Sequence, residues 1–249
     1  MSPRVSVIMP AYRCEKTIEN SIRSALSQTV PDIEVIVAND ASDDGLTDIL
    51  DRLQKKDARL RVIQIRTNIG VAEARNRGIA AAKAEWIAFL DSDDLWEPDK
   101  LKKQLSAAER TGGQLIYTAA ACIDETGKPT GKVFSVPETI TAAKILRSTD
   151  IVTSTVLVKR EVYLRNPMER SDLHEDLISW HGILKNGAKA VGINEPLVRY
   201  RISGGSKSGN KLRSACMTWR TYRYIGIPFF PRIVCFLGYC IHGVKRYWL

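Results

Sequence analysis

Residues Glu85–Asp99 read EWIAFLDSDDLWEPD. Trp86–Leu90 is an apolar run of strand length that ends abruptly in Asp91, Asp93 and Asp94. Unpaired charges cost too much inside a buried strand, so the cluster marks where the strand leaves its sheet. In an open α/β sheet that edge is where ligands bind. Alternate side chains of extended backbone share a face, so Asp91 and Asp93 can point together with Ser92 turned aside. Oxygens arranged like this suit Mg²⁺ or Mn²⁺ shared with a ligand's phosphates. The competing reading is a solvated turn followed by an N-cap for the helix after Pro98.

The chain on either side fits a doubly wound sheet. Val5–Pro10, Ile33–Ala38 and Leu60–Arg66 read as further strands. Helices are expected from about Thr17, with Ile18, Ile22 and Leu26 on one face, over Thr47–Lys56, and from Gly70 to Ala82. This alternation predicts βαβ units and a mainly parallel sheet. Beyond it the pattern predicts a helix over Pro98–Arg110, a strand at Leu115–Ala121 and a hairpin over Asp124–Val136. A short helix at Ala142–Arg147, a strand at Thr155–Lys159, a helix at Asp176–Asn186 and a last short strand at Leu197–Ile202 complete it.

The 249 residues carry a net charge of +9, and it is unevenly placed. Ten of the 37 Lys and Arg lie from Pro196 onward, and none of the 28 Asp and Glu does. The earlier part is therefore near neutral, and the basic end points to nucleic acid or an anionic membrane surface. Within it, Ile225–Val244 is mostly apolar but interrupted by Pro228, Pro231, Arg232 and His242. The unbroken part is too short for a span of roughly 20 residues. An amphipathic, membrane-interfacial tail over 213–249 is expected after a catalytic domain over 1–212, with a packed core or dimer helix as the other reading. A chain ended after Asn210 is then expected to stay soluble. The five cysteines have neither zinc nor disulfide spacing, which fits a reducing cytosol. Val5–Met9 is too short for a signal peptide.

Two acidic turns share one sheet edge: Asp40 with Asp43 and Asp44, and the Asp91–Asp94 cluster. No Gly-rich phosphate loop is present, so a bound nucleotide diphosphate would need metal and basic side chains. Arg75 is available, unless it is an ordinary surface helix arginine. Glu175 and Asp176 open a helix, which suits N-terminal capping or a general base brought to the same cleft; His174 is a second candidate base. Arg199, Arg201, Ser206, Lys207 and Ser208 form a basic, Gly-rich segment suited to a diphosphate or to solvent.

Six motifs occur in order: VSVIMPAYR from Val5, VANDASDDG from Val37, GVAEARNRG from Gly70, FLDSDD from Phe89, HEDLISW from His174 and EPLVRYRISGGSKS from Glu195. Together they resemble family 2 glycosyltransferases of the GT-A fold, most of all bacterial enzymes that build surface polysaccharides. The turn NDASDDG departs from the family's frequent DDGSTDG, and Ser203 stands where a His is common. The QxxRW motif of processive synthases is absent, which implies transfer of a single sugar.

The resemblance implies roles. Pro10, Ala11, Tyr12 and Asp40 would hold the uracil or ribose, with Arg75 near the base and diphosphate. Asp91 and Ser92 would contact the donor, and Asp93 with Asp91 would ligate Mn²⁺ or Mg²⁺. Asp176 would be the catalytic base beside Glu175, with Trp180 and His174 toward the acceptor and Arg201 and Lys207 over the diphosphate. The implied reaction is inverting transfer from a UDP-sugar to a glycan on a polyprenyl diphosphate. Its place is the cytoplasmic face of the cell membrane. The membrane surface is an expected partner, a second copy in a homodimer is another, and nucleic acid is not. A nucleotidyltransferase that makes the activated sugar is the alternative, but PAYRCEK stands where such enzymes carry a Gly-rich basic loop. A non-catalytic basic adaptor is the third reading.

Overall fold

The computed structural model describes residues 2–148, 150–202 and 211–248. Four strands open the chain: β1 (Val5–Ala11), β2 (Ile33–Asp40), β3 (Leu60–Ile65) and β4 (Trp86–Phe89). They run parallel in the order β3-β2-β1-β4. Helices α1 (Ile18–Leu26), α2 (Leu46–Gln54) and α3 (Val71–Ala80) make the crossovers. Burial on both faces explains the continuous apolar runs of β1 and β2.

The period-2 alternation of β1 feeds two cores. Val5, Val7 and Met9 pack with α1, with α2 and with α4 (Lys100–Thr111). Ile8 faces the other side, where α3 closes in. Gly78 permits that approach, because a Cβ there would meet Ile8 Cγ2 at 2.8 Å. The fold is α/β and mostly parallel, as the alternation of elements predicts.

The second half is more mixed. After the short β5 (Leu95–Trp96) and α4 come β6 (Leu115–Ile123) and β7 (Pro129–Phe134), paired as a hairpin whose first arm is the Leu115 strand itself rather than one within the expected Asp124–Val136. Next are α5 (Ala142–Ile145), a 3-10 turn at Thr153–Thr155, β8 (Leu157–Lys159) and α6 (Arg160–Leu164). β8 inserts antiparallel between β4 and β6. Then come α7 (Glu175–Lys185) and β9 (Ala190–Arg201), which runs parallel to β6 and antiparallel to β5. The last strand is therefore longer than the expected Leu197–Ile202. A register shift beside Asn194-Glu195-Pro196 interrupts its alternation.

Two helices follow, α8 (Lys211–Tyr224) and α9 (Phe229–Trp248). The expected boundary at residue 213 falls inside α8. Tyr222 and Cys235 are buried with Ile145, Leu146 and Trp180 in the second core, and Met217 is buried on α8. Pro231 does not break α9, because it lies in the first turn, where its missing N–H has no helical partner to lose. Among the described residues no helix is long and apolar enough to cross a membrane.

Candidate active site

The C-terminal ends of β1, β2 and β4 bring Pro10–Tyr12, Asp40 and Asp91 to one edge. The Asp91–Asp94 turn and the segment after it are held by α1 and by the 3-10 turn. Ser21 Oγ of α1 donates to the Ser92 carbonyl at 2.9 Å. Ser24 Oγ of α1, and Gln28 just past its C-terminus, bind the backbone of Trp96, Glu97 and Leu101. The 3-10 turn supplies Ser154, whose Oγ accepts from the Asp91 N–H at 3.0 Å and donates to Asp94 Oδ2 at 2.5 Å.

The three carboxylates have different tasks. Asp94 is 1 % exposed, and its Oδ1 accepts the Arg201 N–H at 2.8 Å. Burial, then the charges of Asp93 and Asp91, push its carboxyl well above the usual range, so it ties β9 to the turn as a structural group. Asp93 is half-buried. Burial, and after it the charge of Asp91, push its carboxyl up to about 6. Asp91 accepts from Arg75 Nη2 at 2.5 Å.

Arg75 is 3 % exposed, which rules out a surface helix arginine. Its Nη1 donates to Glu175 Oε1 at 3.0 Å. Burial works against the guanidinium charge, but Asp91 and Glu175 outweigh it and raise the pKa further. One buried cation thus joins the strand-end turn to the start of α7. Glu175 is itself 6 % exposed, while Asp176 is half-buried beside it. Thr153 Oγ1 donates to Asp176 Oδ2 at 3.2 Å, and the Leu177 N–H donates to Oδ1 at 2.8 Å. The helix N-terminus favours both carboxylates.

Several expected contacts lie elsewhere. Asp40 is buried, and its two oxygens accept the Ile69 and Gly70 N–H groups at 2.8 and 2.9 Å. Gly70 has φ +86°, and Ser171 Oγ takes the Ala72 N–H at 3.0 Å, so the α3 N-terminus is already filled. Tyr12, 42 % exposed, stands at the rim with the Arg13 guanidinium 5.1 Å from its ring. Trp180 does not face an acceptor: it is 1 % exposed and packs edge-on against Phe89. Leu177, Ile183 and Leu184 bury the same side of α7, so the ring is core. His174 turns toward α8, with its Nε2 3.2 Å from the Ser214 carbonyl. The Arg201 guanidinium is engaged by the carbonyls of Asp93, Asp124 and Glu125, which removes it from the diphosphate role. Ser206, Lys207 and Ser208 lie outside the described residues.

Thr153 and Ser154 join the site without having been marked by any motif. Their signal is the hydroxyl run Thr153-Ser154-Thr155 directly before a β-branched strand, more polar than a connector inside a core requires.

The family model described as Glycosyl transferase family 2 matches residues 6–165. The chain belongs to that family. The putative teichuronic acid biosynthesis glycosyltransferase TuaG of Bacillus subtilis is 37 % identical, covering 98 % of this chain and 97 % of its own. The UDP-Glc:alpha-D-GlcNAc-diphosphoundecaprenol beta-1,3-glucosyltransferase WfaP of Escherichia coli is 35 % identical over 98 % of this chain and 95 % of its own. Among solved structures, S. aureus TarS 1-349 with UDP-GlcNAc superposes with a TM-score of 0.75. It is 19 % identical and covers 98 % of this chain and 73 % of that one. The mannosyltransferase PcManGT of Pyrobaculum calidifontis, with GDP-Man and Mn2+, gives 0.69 at 20 % identity, covering 100 % and 72 %. These likenesses show a GT-A fold. The protein is a glycosyltransferase.

The donor set around Asp93 fits a divalent cation. Asp93 and Asp91 sit close enough for their charges to oppose each other, and a cation relieves that opposition. Among the described residues no three His, Cys, Asp or Glu group as a complete metal cage. A Mg²⁺-type ion held by one or two carboxylates takes its other ligands from phosphates and water.

Proposed function

We propose that this glycosyltransferase moves one sugar from a UDP-sugar to a hydroxyl of a polyprenyl-diphosphate-linked glycan, with inversion, in bacterial surface-polysaccharide synthesis. The observation that carries the reading is the Arg75 bridge: Asp91 on the donor side and Glu175, next to Asp176, share one buried cation. The names of TuaG and WfaP support the polysaccharide setting and the lipid-linked acceptor. The reaction belongs at the cytoplasmic face of the membrane, with the basic C-terminal part toward it.

Asp176 takes the proton from the attacking hydroxyl. Thr153 and the Leu177 N–H orient the carboxylate for that task. Ser154 fixes the backbone of Asp91 and the side chain of Asp94, so the donor-side oxygens are set before substrate arrives. A divalent cation held by Asp93 and Asp91 would neutralise charge on the departing diphosphate. Tyr12 offers an exposed ring at the rim for the base. Attack opposite the leaving group inverts the anomeric centre and calls for no covalent intermediate.

The test is Asp176→Asn, which keeps shape and removes basicity. Transfer should fall by about 10²–10⁴, while UDP affinity by calorimetry stays near wild type. Normal transfer by this variant would mean that Asp176 merely stabilises the helix start.

A further inference from the structure

The α9 helix is apolar on two sides, and only one of them is covered. Its inner side is fixed to the enzyme. Cys235 is buried, Phe236 packs edge-on against Trp219, and Gly238 lies against Arg147. Tyr239 Oη is 3.1 Å from Ser214 Oγ of α8, and His242 Nε2 is 2.8 Å from Asp150 Oδ1. The outer side carries Phe230, Val234, Leu237, Ile241 and Val244, which are 78, 53, 56, 59 and 55 % exposed. Phe229 and Ile233 widen the stripe at its start. A contiguous apolar stripe of this kind marks an interaction surface.

We infer that this outer face of α9 lies flat in the headgroup boundary of an anionic lipid surface, as a rigid part of the fold. The inference rests on the membrane reading above and specifies the side chains that carry it. Charge decides the occupant. No Asp or Glu follows Glu195, whereas Arg223 and Lys245 are exposed on the helix pair that presents the stripe. A helix with an apolar face and basic flanks partitions into the interface plane rather than across it. A second copy of the chain is the weaker occupant. An isologous contact would set like charges against like. Beside the stripe stand Pro231, Cys240 and Lys245, with no carboxylate to pair across a two-helix seam. Five stripe positions also fall short of the roughly three or four heptads of a stable coiled coil.

The placement has a geometric result. The Ser214 carbonyl and Thr221 Oγ1 of α8 bind His174, immediately before Glu175 and Asp176. A surface that fixes α9 therefore also fixes the catalytic end of α7 relative to the lipid.

The full chain should sediment with vesicles of equal parts phosphatidylglycerol and phosphatidylcholine, and less so as salt rises. Leu237→Glu and Ile241→Glu should each lower the bound fraction by about tenfold. Hydrolysis of UDP-sugar in solution and the melting temperature should stay unchanged, and Leu237→Ile should bind as wild type does. Equal sedimentation of wild type and Leu237→Glu overturns the inference. So does failure of both to bind when Leu237→Glu converts a dimer to a monomer by light scattering, which assigns the face to a second copy. Stripe-dependent vesicle binding without sugar transfer to a lipid-linked acceptor upholds the lipid surface and removes the acceptor reading instead.

Discussion

At the scale of single residues, the site depends on hydroxyls as much as on carboxylates. Thr153 donates to the oxygen of Asp176 that is not engaged by the helix backbone. A hydrogen bond to a charged group contributes about 1.5 kcal/mol, or roughly tenfold in rate. Thr153→Val should thus lower kcat by about tenfold with donor KM unchanged, and Thr153→Ser should restore it. A fall in donor affinity instead would show that Thr153 acts on the Asp91 turn. Asp93 belongs to the other half of the cleft. UDP binding by the wild type should weaken when excess chelator is added, whereas Asp93→Ala should bind weakly with or without it. Undiminished wild-type transfer in chelator would exclude the cation site. Trp180 shows how a motif can mislead at this scale. The periodicity Leu177, Trp180, Ile183, Leu184 marks a buried face, whereas its place in HEDLISW points the aromatic at the acceptor, and the periodicity is right.

At the scale of elements, the parallel half was legible because each strand is a continuous apolar run bounded by turn residues and followed by a 3.6-period helix. The second half was less so, for physical reasons. β9 carries Asn194-Glu195-Pro196 at a register shift, so its first half reads as a loop. β5 is only two residues long, held by the polar side of α1 through Ser24 rather than by apolar pattern. The strand-end carboxylates were legible because clustered charge right after an apolar run has to lie where the strand leaves the sheet. Which of them stays free for a ligand was not, since that depends on Ser154 and Arg201 from distant elements. α4 contributes a further prediction. Lys100 is fully buried, donates to Gln104 Oε1 at 2.7 Å and lies 4.0 Å from the Trp96 ring. Burial lowers its pKa well below the ordinary value. The unfolded chain then binds the extra proton between the folded and ordinary pKa values, so stability rises with pH across that window. Lys100→Met should raise Tm by several degrees at neutral pH, and the gain should shrink as pH approaches the ordinary lysine range. A gain independent of pH would assign the effect to packing alone.

At the scale of the whole molecule, α8 and α9 are part of the core rather than an appendage. Tyr222 and Cys235 fill the second core beside Trp180 and Leu146. Removing them takes away a sizeable share of the about 5–15 kcal/mol that holds a domain folded. The expectation that a chain ended after Asn210 stays soluble is therefore reversed. That truncation should aggregate or melt far below the full chain in a thermal scan, and an unchanged melt would show that the helices only rest on the surface.

The Arg75 bridge has a consequence for how the two substrates influence each other. One guanidinium neutralises Asp91 and Glu175 together, so a donor that draws Asp91 away leaves the buried cation to Glu175 alone. Occupancy of either half then changes the free energy of filling the other. Thermodynamic reciprocity fixes the size of that effect: the factor by which UDP alters acceptor affinity must equal the factor by which acceptor alters UDP affinity. A substitution of Arg75 should therefore change both factors equally.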